Sequence, residues 1–267
     1  MASALGQFWM LVRMWIRSTM AYPASFALMA VGSAVTTGLD FVVVLIMFSH
    51  ITAFGGFALP EMALLYGTTS FCLGIADLLI GSVERIGARV RAGDVDVWLV
   101  RPVPAFVQGA ADNFALRRIG RPFQALLVLG LGLPVADVAW SVPKVLLLVV
   151  SMIAGSVIFG SIFVISAAFQ FVAQDAAQVA NAFTYGGQQL TEFPLTIFGR
   201  ELVRAVTFVV PLAFVNYYPL LYVLDKPAPL GLPPWTGLLS PLVAAAMAGL
   251  AALAWRGGIR RYRSTGS

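Results

Sequence analysis

Apolar residues run along this chain in long stretches separated by short clusters of Gly, Pro and Arg. A membrane-crossing helix needs about 20 mostly apolar residues, because roughly 30 Å of hydrocarbon is covered at about 1.5 Å per residue. On that ruler the pattern predicts spans near 24–48, 61–82, 122–139, 143–172, 202–223 and 236–255. Run length argues for helices, since barrel strands would alternate polarity over about 10 residues. The third stretch is short and broken by Pro134, and residues 176–198 are apolar enough to hold an additional or broken helix. The reading is six spans, with seven as the alternative. Ahead of the first, Leu5, Phe8, Trp9, Val12 and Ile16 recur at helical spacing, with Arg13 and Arg17 one turn apart on another face. Residues 1–22 therefore predict an amphipathic helix lying in the headgroup plane, redirected into the membrane at Pro23.

Composition agrees. Of 267 residues, 60% are hydrophobic and 11% charged, and mean hydropathy is +0.88. A soluble domain carries about 25% charged residues, so the chain is an all-α polytopic membrane protein. Cys72 and His50 are the only residues of their types, which excludes a disulfide framework, a Cys-rich metal site and an HExxH zinc site within one chain. Cys72 sits in an apolar run and reads as a small core residue; His50, beside a Gly-rich loop, reads as solvated.

Charge sets the expected orientation. Arg13 and Arg17 precede span one, seven arginines (Arg85, Arg89, Arg91, Arg101, Arg117, Arg118, Arg121) lie between spans two and three, and Arg200 and Arg204 precede span five. Arg256, Arg260, Arg261 and Arg263 follow span six, so six spans put 15 of the 17 basic residues on one side, opposite Lys144 and Lys226. Basic residues are retained in the cytoplasm, which predicts cytoplasmic N- and C-termini. The net charge of +5 is then a topology signal; no folded basic domain is present to take nucleic acid.

The segment 83–121 is the only soluble-side element large enough to dock a partner. Glu84 to Arg91 predicts a short helix that Gly93 ends by adopting a left-handed conformation. Asp94 is expected to cap a second short turn, with Asp96 in its first turn and Arg101-Pro102 and Pro104 closing it. The result would be a helix–turn–helix with an apolar ridge of Val95, Val97, Trp98 and Leu99. The plainer alternative is a juxtamembrane loop whose arginines touch anionic lipid headgroups.

Asp40 and Asp77 lie within spans one and two, where a charge costs roughly 2.5–3.5 kcal/mol on insertion scales. Asp77 is near a span end and could pair with Arg85. Asp40, flanked by Thr36 and Thr37, could face a substrate path, and packing through Gly32, Ser33 and Gly38 is equally compatible. Glu192, Arg200, Glu201 and Arg204 are expected at the cytoplasmic interface. No G-x-x-x-x-G-K-[ST] occurs and no G-x-S-x-G elbow is apparent, so the chain offers neither a Walker-type ATP site nor catalytic residues of its own.

Three separated stretches carry a resemblance: "EFPLTIFGRELVRAVTFVVPLAFVNYYP" (Glu192 to Pro219), "RAGDVDVWLVRPV" (Arg91 to Val103) and the tail "RRYRSTGS" (Arg260 to Ser267). Together they resemble the bacterial ABC-2-type permeases, six-span subunits of about this length. The resemblance implies a single permease domain over 1–267 with type V exporter-like architecture in the bacterial cytoplasmic membrane. Its parts would be an interfacial elbow helix (1–22), a coupling loop (83–121), a cytoplasmic or interfacial connection (176–200) and a cytoplasmic tail (256–267). It also implies two copies of an ATP-binding subunit, which would hold the ATP and Mg, and a second permease chain, identical or related. Glu84, Arg85, Arg89, Arg91, Gly93, Asp94, Asp96, Trp98 and Arg101 would then belong to the coupling element. Asp40 and Asn216, Tyr217 and Tyr218 would be candidates for the translocation path, and family precedent implies export. A channel or secondary transporter working without ATP, and a structural membrane subunit, are the alternatives.

Overall fold

A computed structural model describes residues 3–173 and 177–263. Residues 1–2 of the N-terminal segment, residue 176 at the start of the expected connection and residues 264–267 of the tail lie outside it, as does the side chain of Thr37. Among the described residues there is no β-strand; the elements are helices. They are α1 (Ala4–Met20), α2 (Pro23–Phe48), α3 (Leu59–Ile80), α4 (Ile86–Arg91), α5 (Asp94–Val100), α6 (Ala105–Ala111), α7 (Gly120–Gly132), α8 (Val142–Gln170), α9 (Ala177–Thr191), α10 (Arg200–Phe208), α11 (Tyr217–Val223) and α12 (Ser240–Arg261).

Among the described residues, four segments are long and apolar enough to cross a membrane: Pro23–Phe48, Leu59–Arg91, Val142–Gln170 and Pro234–Arg261. Small residues let them approach. On α12, a Cβ at Gly258 would stand 2.6 Å from the Ala168 carbonyl oxygen of α8. On α3, a Cβ at Gly74 would stand 2.8 Å from Pro122 Cδ of α7. Both contacts need glycine, because in lipid close helix packing replaces the hydrophobic drive. Helix α7, in the region of the third expected span, has only 13 residues. It rises about 20 Å, less than the roughly 30 Å of a bilayer core, and Gly-Leu-Pro at 132–134 ends it.

Contacts define two ends of the bundle. At one, α1 packs on α6, α12 brings Trp255 to Phe106 and Phe171, and most of the arginines collect. At the other, the α2–α3 loop, the start of α8 and residues 224–226 meet: Lys144 pairs with Asp225, and Lys226 bonds Glu61 at 2.8 Å and the Gly56 carbonyl at 2.6 Å.

The chain after α8 departs from expectation. Thr184 and Tyr185 of α9 lie beside Glu84 at the arginine-rich end. Twelve positions past Thr184, the Thr196 hydroxyl donates to the Gly55 carbonyl at 2.7 Å, at the opposite end. Residues 184–196 thus traverse the bundle, and the interfacial connection expected over 176–200 does not stay at one end. Helices α10 and α11 are bent by 75° about residues 209–211. Their entry, at Thr196, and their exit, at Lys226, both rest on the Gly55-Gly56 loop. The stretch 202–223, expected to cross as one span, is instead bent, with both its ends at the same loop, the arrangement of a re-entrant pair. Val210-Pro211 explains the bend, since proline removes an N–H and clashes with the preceding turn. Arg200, Glu201 and Arg204 consequently sit at the end opposite the arginine cluster, and Arg204 bonds Glu201 at 2.7 Å.

Candidate functional site

The helix–turn–helix expected in 84–101 is present. Gly93 carries φ +75°, the left-handed turn between α4 and α5, a conformation glycine alone adopts cheaply. Gly93 itself occupies the N-cap position. Asp94, expected to cap, is the first residue of α5 and spends its carboxylate on Arg89 Nη1 at 2.8 Å. Arg89 also reaches Asp112 through Nε at 2.7 Å and Nη2 at 3.1 Å. One guanidinium thus holds both arms of the turn and the end of α6.

The apolar ridge splits into two faces. Val95 and Trp98 turn inward onto α6, where the Gln108 amide donates to the carbonyls of Trp98 and Val103, both at 2.8 Å. Val97, Leu99 and Val100 turn outward, Val100 at 82% exposure. Arg91 and Arg101 are exposed beside them. An outward apolar patch of this kind, rimmed by cations, is a surface that a partner can cover.

Neighbours brace the hairpin. Helix α1 lays Phe8, Val12, Trp15 and Ile16 against Ala111 and Phe114, while Leu5 and Trp9 of the expected stripe point outward. The Gln7 side chain donates to the Pro102 carbonyl at 3.3 Å. From the far end of the chain, the Tyr262 hydroxyl donates to Asp96 Oδ1 at 3.0 Å. Burial, the Asp96 hydrogen bond and its charge push the Tyr262 phenol up to about 12. Glu84 faces away from the patch, toward Thr184 and Tyr185 of α9. Asp77 pairs with Arg118 at 3.4 Å rather than with Arg85. Arg85 instead lines a crevice with Asp40, and Asp40 is exposed on α2.

Asn216, Tyr217 and Tyr218 do not line a surface of the subunit: all three are buried. Asn216 Nδ2 donates to the carbonyls of Leu65 and Thr191 and to Thr69 Oγ1, at 3.0, 3.1 and 2.6 Å. The Tyr218 hydroxyl bonds Thr207 at 2.9 Å. They fasten the re-entrant pair into the bundle. Sequence reasoning missed the roles of Asp112, Gln108 and Tyr262. Only the proximity of Asp112 to a break at Asp-Asn could have hinted at one of them.

The family described as "ABC-2 family transporter protein" matches residues 34–266. No curated protein and no solved structure matches the chain.

Proposed function

The chain belongs to the ABC-2 transporter family, and we propose that it is the permease subunit of an ATP-driven exporter, coupled to a separate ATP-binding subunit through residues 84–101. Members of the family are membrane transport components, not ATPases, and normally work with ATP-binding subunits. The observation that carries the coupling assignment is the outward patch of Val97, Leu99 and Val100 on a helix whose other face is locked by Trp98, Gln108 and the Arg89 clamp. A docking helix must be both exposed and rigidly tied to the spans it moves, and this one meets both conditions. Helix α1 acts as the interfacial elbow, and residues 256–263 as the start of a cytoplasmic tail.

Six crossings follow from a reassignment of the fifth: α2, α3, α7 extended by residues 133–141, α8, residues 177–198 and α12, with α10–α11 re-entrant. The arginine-rich end then faces the cytoplasm of a bacterial inner membrane, which supports cytoplasmic termini. Thirteen of the 17 basic residues lie at that end. Helix α2 is almost wholly exposed, which leaves it free to face lipid or a second permease chain, identical or related. Between two copies, Asp40 would border the path. ATP and Mg reside on the two ATP-binding subunits; closing them draws the docked hairpins together and tilts the spans.

The assembly is tested by co-purification and by Gly93→Val with Asp94→Ala. A stoichiometric ATP-binding subunit should accompany the wild type, and the double variant should lose substrate-stimulated ATP hydrolysis and export while still inserting in the membrane. Unchanged transport and stimulation in that variant reject the docking site. Transport by the purified chain alone rejects the ATP-driven reading in favour of a channel or secondary transporter.

A further inference from the structure

A crevice of about 240 Å³ opens between α2, α3, α9 and the segment leading into α7. From α2 it receives Ser33, Thr36 and Asp40, a polar stripe at helical spacing on an otherwise apolar helix. Across from them stand Arg85, Arg117, Arg118 and Arg121, with Asp77 and Tyr185 at the floor. All four guanidinium groups lie close enough to act electrostatically on Asp77.

Their commitments differ. Arg118 is held by Asp77 and by Ser82 Oγ at 3.2 Å. Arg121 donates to Gln188 Oε1 at 3.2 Å and lies over the Tyr185 ring at 5.9 Å. Arg85 and Arg117 are exposed and make no ion pair among the described residues. Four guanidinium groups face two carboxylates, Asp40 and Asp77, so the crevice is net positive. Guanidinium forks match the oxygens of a phosphate in paired hydrogen bonds.

We propose that this crevice binds a phosphate-bearing anion, with Arg85 and Arg117 as the free ligands and Arg118 and Arg121 as the fixed ones. The Ser33–Thr36–Asp40 stripe continues the polar wall along α2 as a track for the rest of the bound molecule. This names a substrate class for the proposed permease and rests on that reading. The phosphate can come from the headgroup of an inner-leaflet phospholipid or from a water-soluble phosphate ester.

The test uses the full chain purified in detergent, with bound molecules counted by native mass spectrometry. Phosphatidylglycerol, glycerol 3-phosphate and phosphate-free diacylglycerol serve as probes. Arg85→Ala with Arg117→Ala removes the two unpaired cations; Arg260→Ala with Arg261→Ala removes the same charge from the end of α12. The crevice variant should bind the phosphate probes at least about tenfold more weakly, as the loss of one charge-assisted hydrogen bond implies, and the tail variant should match wild type. Binding of phosphatidylglycerol alone identifies a lipid headgroup; binding of both identifies a soluble phosphate as sufficient. No preference for phosphate probes over diacylglycerol, or equal losses in the two variants, overturns the site. Co-purification of the ATP-binding subunit is scored in parallel: its presence without phosphate binding sinks only this inference, and phosphate binding without it sinks only the permease reading.

Discussion

Arg89 grips Asp112 with two bonds, Nε to Oδ2 at 2.7 Å and Nη2 to Oδ1 at 3.1 Å, across 23 positions of sequence. The third nitrogen holds Asp94, so the α4–α5 turn cannot swing independently of α6. Arg89 is partly exposed, and such pairs contribute only about 1 kcal/mol to stability. Asp112→Ala should therefore leave the unfolding temperature within a few degrees of wild type. Stimulated ATP hydrolysis in the assembled complex should fall several-fold, because the docking helix loses its tether. The exchange Arg89→Asp with Asp112→Arg should recover part of it. Full stimulation in Asp112→Ala would remove the clamp from the coupling mechanism.

Asn216 anchors the re-entrant pair with one amide nitrogen serving Leu65, Thr69 and Thr191. Asn216→Leu keeps the volume and strips these acceptors of their donor. Buried groups left without a partner cost about 1–3 kcal/mol each, so thermal unfolding in detergent should drop by several degrees. A residue lining a path would instead alter transport and leave unfolding unchanged. That second outcome would return Asn216 to the translocation path.

Much of the helical content was legible because a bilayer imposes one period and one length on any chain that crosses it. The α2, α3 and α8 stretches were read within a few residues on run length alone, while α12 runs six residues past its predicted end. The Gly93 turn was legible for a different reason: only glycine tolerates its φ of +75° without strain. The 75° bend in the fifth stretch was not legible because α10 and α11 are as apolar together as a spanning helix. Composition records what lies in lipid depth, not whether the chain returns to the side it entered. Residues 176–198 read as apolar enough for an additional helix, and the polar Gln188 within them bonds Arg121 and Glu192 inside the bundle. The Val97–Val100 face was invisible for a third reason. A seven-residue helix has apolar positions on every side, and only the packing of Trp98 against α6 decides which of them remain outside.

The docked end of α12 should respond to alkali. Tyr262 ionises near 10.0 when unfolded and near 12 when packed against Asp96. A raised phenol favours the neutral folded form, so its contribution is complete below the unfolded value and is lost as pH climbs through the window between the two. Tyrosinate difference absorbance, wild type minus Tyr262→Phe, should thus show one phenol titrating near the top of that window. Asp96→Asn removes the nearby charge and should lower that midpoint. A Tyr262 midpoint at the ordinary phenol value would mean that the tail does not rest on α5.

Labelling of single cysteines in intact cells distinguishes the re-entrant reading from a crossing at α10–α11. Cys72 is buried and its thiol donates to the Met152 carbonyl at 3.3 Å, so Cys72→Ala supplies a background with a cost of about 1 kcal/mol for a small buried group. Into it, cysteine is placed at Arg204, at Lys226 or at Arg117. Arg204 within α10 and Lys226 after α11 lie at one end of the bundle, while Arg117 lies at the other. A membrane-impermeant maleimide added outside should modify positions 204 and 226 together and spare 117 until the cells are opened. The pairing is the informative part, since a crossing helix would put 204 and 226 on opposite faces and only one of them would react. Modification of 117 from outside would invert the whole orientation, and the coupling hairpin would then face away from any ATP-binding subunit.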